Sequence, residues 1–142
     1  MPKQRYEYLE HTADAKFQAF GSSLDDSFKN AAFAMLNLIC NTDKVKAKRE
    51  KRVIVKGKDL KALLYNWLEE LLFLLDSENF LTSNIRNLKI CGKKKDYKLE
   101  ATVLGDNVAN YETFGEVKAV TYNSMFIKKE KDKVTVQVVV DM

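Results

Sequence analysis

DLKALLYNWLEELLFLLD, residues 59–76, decides the fold. Its apolar positions, Leu60, Leu63, Leu64, Trp67, Leu68, Leu71, Leu74 and Leu75, recur at helical spacing and form one wide stripe. Leu72 and Phe73 carry that stripe most of the way round. Asp59 stands where an N-cap accepts from the first turn. A helix this apolar needs cover on several sides, so the spacing predicts a central core helix over 60–76, packed against sheet. Each fully buried leucine contributes about 1.5–3 kcal/mol. Most of the stability should run through this segment.

Outward from it, the chain reads as strand on both sides. YEYL (6–9) and KFQAF (16–20) are short, aromatic and alternating. Ser23 and Asp26 have the S-x-x-D form of a capping box. They predict a first helix from near Leu24, with Phe28, Ala31, Ala32, Met35 and Ile39 on its buried face. KRVIVKG (51–57) is a strand closed by Gly57. After the central helix come five candidate strands: 80–91, 96–105, 115–122, 124–130 and 133–141. Gly92–Lys95 reads as a hairpin loop, and 106–115 as the one long irregular, mobile connection. The order β-β-α-β-α followed by strands predicts an α+β fold: mostly antiparallel sheets packed with two helices, in a single domain spanning residues 1–142.

Composition bounds the function. The chain has 142 residues, 46% of them hydrophobic, which suits one real core. No apolar run is long enough for a membrane helix. MPKQRYEYLEH lacks the apolar stretch of a secretory signal, so a cytoplasmic protein is expected. Cys40 and Cys91 have no metal-ligand spacing and read as reduced, buried thiols. The net charge of +4 is mild, but basic residues crowd 44–52, 92–98 and 128–133. Such clusters keep strand edges and hairpin tips soluble. They also leave open a weak, salt-dependent RNA contact that does not read sequence.

No GxGxxG, phosphate-binding loop, HExxH or GxSxG is present. Two polar features remain. EHTAD (10–14) links the first two strands and holds the single histidine, His11. VVVDM (138–142) ends the chain, and the valine-rich strand before it reads as central and covered on both faces. Asp14 suits a turn cap, and Asp141 a strand end meeting water. If Asp14 lies near Asp141 and the terminal carboxylate of Met142, however, their hard oxygens converge as calcium or magnesium requires. His11 reads as a hydrogen-bonded shaping residue.

At these residues the chain resembles the archease family. YEYLEHTADAKFQAFG (6–21), SLDDSFKNAAFAML (23–36), DLKALLYNWLEELLFLLD (59–76), EVKAVTYNSMFI (116–127) and the closing VVVDM resemble its ordered segments from residue 6 onward. The resemblance implies a small metal-binding accessory protein, not an enzyme. It would activate an RtcB-type tRNA-splicing RNA ligase by promoting guanylylation and multiple turnover, and broaden the nucleotide triphosphates used. It also implies metal ligation by Asp14, Asp141 and Met142, the last through main-chain or terminal oxygen, with calcium as the usual ion. Asn123 departs from a frequent histidine after T-Y, and Ala15-Lys16 departs from a small or apolar pair. Two rival readings stand beside this one. One is an enzyme using His11 and Asp14 as an acid–base pair. The other is a general chaperone or RNA-binding module acting through Lys93, Lys94 and Lys95.

Overall fold

The first helix, α1 (Leu24–Leu36), starts where Ser23 Oγ accepts from the Asp26 N–H, as its sequence requires. Residues 4–10 and 14–142 are described by the computed structural model. The second helix, α2 (Leu60–Glu78), is capped by Asp59, whose carboxylate accepts from the Ala62 N–H. It ends at Asn79, which takes a left-handed φ of 56°. The strands are β1 (Tyr6–Leu9), β2 (Ala15–Gly21), β3 (Arg49–Gly57), β4 (Phe80–Lys93), β5 (Asp96–Asn107), β6 (Ala119–Lys129) and β7 (Val134–Asp141). They make two antiparallel sheets, ordered β1-β2-β7-β6 and β3-β5-β4.

Both helices touch both sheets, which places the leucine stripe at the centre as its pattern demands. Leu63, Leu64, Trp67, Leu68 and Leu71 are fully buried or nearly so. The Trp67 indole N–H donates to the Phe28 carbonyl at 3.0 Å and ties the helices together. The outer face of α2 closes two sheet edges. Asn66 Nδ2 donates to the Lys56 carbonyl on edge strand β3, and Glu69 Oε2 accepts from the Val120 N–H on edge strand β6. Unpaired strand edges are thereby given partners from within the fold.

The structure corrects four local expectations. Segments 115–122 and 124–130 are not two strands: pairing begins at Ala119 and continues to Lys129 as β6. The polar Asn123-Ser124 reads as a turn, but β7 pairs on both sides of it, and the extra residues are taken up as a bulge with Ser124 at φ 54°. Asp106 and Asn107 belong to β5, and a 3-10 turn follows at Val108–Asn110. Phe73 points outward because the two sheets cover α2 over only part of its circumference. Cys91 is exposed near the β4–β5 tip, whereas Cys40 is buried and its thiol is pushed up to about 11 by that burial. Among the described residues, no helix is long and apolar enough to cross a membrane.

Candidate metal centre

The valine run of β7 sets the site by alternation. Val134, Val136, Val138 and Val140 belong to the core. Thr135, Gln137, Val139 and Asp141 therefore project to the opposite face. Every residue from Val134 to Val140 is buried, so β7 is the central, doubly covered strand its composition predicts.

Strand β2 runs antiparallel beside it, with Phe17 opposite Val138 and Ala15 opposite Val140. The paired register ends there: Asp14 is the bend residue just before β2, and Asp141 is the last residue of β7. Two carboxylates from opposite ends of the sequence are thus each one residue beyond the Ala15–Val140 pair. On the other side of β7, Ala119 is opposite Asp141, and its small side chain leaves the flank of the carboxylate open. The Lys118 N–H donates to the Asp141 carbonyl at 2.7 Å, fixing the end of the strand. Asp14 is half-buried; Asp141 and Met142 are exposed. His11 and Thr12, which complete the sequence motif, lie outside the described residues.

The donor set fits a hard cation. It offers carboxylate oxygens and no nitrogen or sulfur, as calcium prefers, and calcium's remaining positions are commonly filled by water. Like charges gathered at one sheet end repel, so an ion between them would remove a cost. Among the described residues, no three His, Cys, Asp or Glu side chains form a cluster that could hold a metal ion.

Sequence reasoning missed Lys16. It is opposite Val139, two residues along the chain from Asp14 and two along β7 from Asp141, and shares the face of Asp141. It is half-buried there and supplies a built-in positive charge near that end of the sheet. Its place two residues after Asp14 was the signal the sequence carried. Thr121 completes that rung and donates from Oγ1 to the Val139 carbonyl at 2.8 Å. Asn123 lies farther in, exposed within the bulge, where its N–H donates to Thr121 Oγ1. It is not at the Asp141 end of β7.

Residues 111–118 run past the site as a strap between β5 and β6. At its start, Tyr111 donates to the Asp106 carboxylate at 2.6 Å and accepts from the Lys46 N–H at 3.1 Å. The Tyr111 hydroxyl, then the Asn107 N–H, hold Asp106 below the usual carboxylate range. The same hydrogen bond raises Tyr111 above the ordinary tyrosine value. The lysine clusters lie elsewhere. Lys93, Lys94 and Lys95 are exposed at the β4–β5 tip, and Lys128, Lys129, Lys131 and Lys133 surround the β6–β7 tip.

Comparison with known proteins agrees with this architecture. The family model described as the Archease protein family (MTH1598/TM1083) matches residues 6–142. "Protein archease" of Methanosarcina barkeri is 40% identical over 143 residues, covering 98% of this chain and 97% of the relative. "Protein archease" of Pyrococcus abyssi is 40% identical over 131 residues, covering 91% and 92%. The solution structure of Methanobacterium thermoautotrophicum protein 1598 superposes with a TM-score of 0.82 at 36% identity, covering 96% of this chain and 98% of that one. A Thermotoga maritima crystal structure, described as an archease, possible chaperone, has a TM-score of 0.60 at 18% identity. It covers 100% of this chain and 98% of its own, and at that identity it speaks to the fold alone.

Proposed function

This chain belongs to the archease family, and from that premise we propose that it is a calcium-binding accessory protein that activates an RtcB-type tRNA-splicing RNA ligase in the cytoplasm. The observation that supports the reading is the pairing of β2 with β7 up to Ala15 and Val140, beyond which Asp14 on one strand and Asp141 and Met142 on the other come next in the chain. Asp14, Asp141 and an oxygen of Met142 hold the ion. A bound divalent cation offsets the charge of a nucleotide triphosphate during nucleotidyl transfer. The residues of this chain fix where that charge is presented: β7 is immobilised on both sides, and the Lys118 N–H holds the carbonyl at its end. Guanylylation and multiple turnover then belong to the ligase, which this protein assists without chemistry of its own. Broader use of nucleotide triphosphates by the ligase follows from the same assistance.

The test is RNA ligation under multiple turnover with purified ligase, GTP and either wild-type protein, Asp14→Ala or Asp141→Ala. Wild type should stimulate, and both folded variants should lose most of that stimulation. Full stimulation by both would remove the metal-site mechanism. Ligation or GTP turnover by this protein alone would favour an enzyme. RNA binding abolished by charge reversal at Lys93, Lys94 and Lys95, and indifferent to chelator, would favour the RNA-binding module.

A further inference from the structure

We infer that Phe114 and the Met142 side chain form an apolar anchor that docks this protein onto the basic, phosphate-handling surface of its ligase. The inference rests on the ligase reading above and adds a surface to it.

Phe114 is 70% exposed, the most exposed large apolar side chain among the described residues. Leaving such a ring in water forgoes the stabilisation that burial would give. Its backbone is nevertheless held firmly. The Phe114 N–H donates to the Ile39 carbonyl at 2.9 Å. Gly115 follows, seated so closely on the turn after α1 that an added Cβ would meet the Leu38 carbonyl oxygen at 2.1 Å. Tyr111 ties the strap upstream through Asp106, and Lys118 ties it downstream through Asp141. A rigid backbone presenting a bare aromatic ring is pre-organised for burial in a partner, because little ordering cost remains at binding.

Met142 extends the patch. Its side chain is 37% exposed, and its Cε lies 3.4 Å from where a Gly115 Cβ would stand. The apolar pair thus borders the Asp141 end of β7. Exposed Glu112 and Glu116 flank Phe114 along the strap, with Lys118 the one basic residue on it. An aromatic centre inside a largely acidic rim suits a protein surface that has an apolar pocket among lysines and arginines. A ligase that handles GTP and RNA phosphates gathers lysines and arginines around them, which an acidic rim complements. RNA itself would be repelled by the carboxylates, and so would a second copy of the same face.

Affinity for the purified ligase, measured by calorimetry in calcium, tests this with wild type, Phe114→Ala, Phe114→Leu and Ile54→Ala. Ile54 is another exposed apolar residue, on β3. Phe114→Ala should weaken ligase binding at least about tenfold, as loss of a buried aromatic anchor does. Phe114→Leu should recover part of the loss, Ile54→Ala should have no effect, and calcium affinity should change less than about twofold in all three. Equal ligase affinity for wild type and Phe114→Ala would overturn the docking assignment and leave the ligase reading intact. An equal loss in Ile54→Ala would also overturn it. Failure of wild type to bind the ligase would remove the ligase reading and the anchor with it. Dimerisation dependent on Phe114, seen by sedimentation, would assign the face to a second copy instead.

Discussion

The two ends of β7 carry opposite charge by different means. At one end, Asp141 closes β7 and Asp14 immediately precedes the paired β2, about 23 Å from the other end at strand rise. At that other end, Lys128, Lys129, Lys131 and Lys133 crowd a hairpin tip in which the Glu130 N–H bonds the Lys133 carbonyl. The lysines are neighbours in sequence, exposed and free to spread into water. Lys133 lies over the Phe20 ring, 4.6 Å from its centroid. The carboxylates are 127 residues apart in sequence, yet the pairing of β2 with β7 brings them to the same end of the sheet. Charge made local by sequence spreads over a tip; charge gathered by strand pairing collects at one sheet end, where a cation would offset it.

The largest effect should separate the two ends. Asp141→Asn should weaken calcium binding, read by calorimetry, at least about tenfold. The double reversal Lys131→Glu and Lys133→Glu should leave it within about twofold, since screening is strong at that distance. Equal losses would show that net charge, not the carboxylate pair, sets affinity. The comparison sharpens further in chelator. There Asp14→Asn should raise stability by a few tenths to about 1 kcal/mol, because repulsion between like charges at one sheet end is relieved. In calcium the same variant should be the less stable one. Urea unfolding in both conditions reads the reversal.

Next in size is the clasp at the start of the strap. Tyr111→Phe should cost about 1–3 kcal/mol in urea unfolding, because it leaves the Asp106 carboxylate and the Lys46 N–H without their shared hydroxyl. The pH dependence has a definite sign. Asp106 is lowered in the folded state, so its contribution is present above the ordinary carboxylate value of about 4 and is lost as pH falls through the lower folded one. Tyr111 is raised, so its contribution is present below about 10 and is lost as pH rises through the folded value. Tyr111→Phe should flatten both limbs. Unchanged limbs would place the titrating groups elsewhere.

The smallest effect concerns Lys16. Its ammonium competes with a cation for the carboxylates at its end of the sheet, so Lys16→Met should tighten calcium binding by a few fold. A weaker site in the variant would mean that Lys16 supports the carboxylates.

Much of the fold was legible because it is local. The leucine stripe of 60–76, the caps at Ser23 and Asp59 and the valine-rich stretch of 134–140 each state their structure within one short segment. The division of 115–130 into two strands was a misreading for the same reason. Asn123-Ser124 looks like a turn in isolation, and only pairing with β7 makes it a bulge. Phe73 was misplaced because a helix cannot reveal how far two sheets wrap it. At the candidate site the residue types were readable, but their arrangement was not.

By itself, the sequence determined two helices, a mostly antiparallel α+β fold, a buried central strand and acidic residues at both ends of the chain. Tertiary structure alone decided that Asp14 and Asp141 come to one end of the β2–β7 pair, that Lys16 shares the face of Asp141, and that Phe114 is held out on a pinned strap. The reason is physical. Helical and strand periodicity are local properties of a few residues, whereas strand register is set by the packing of segments far apart. A slip of one residue in that register would turn the Lys16 side chain to the opposite face.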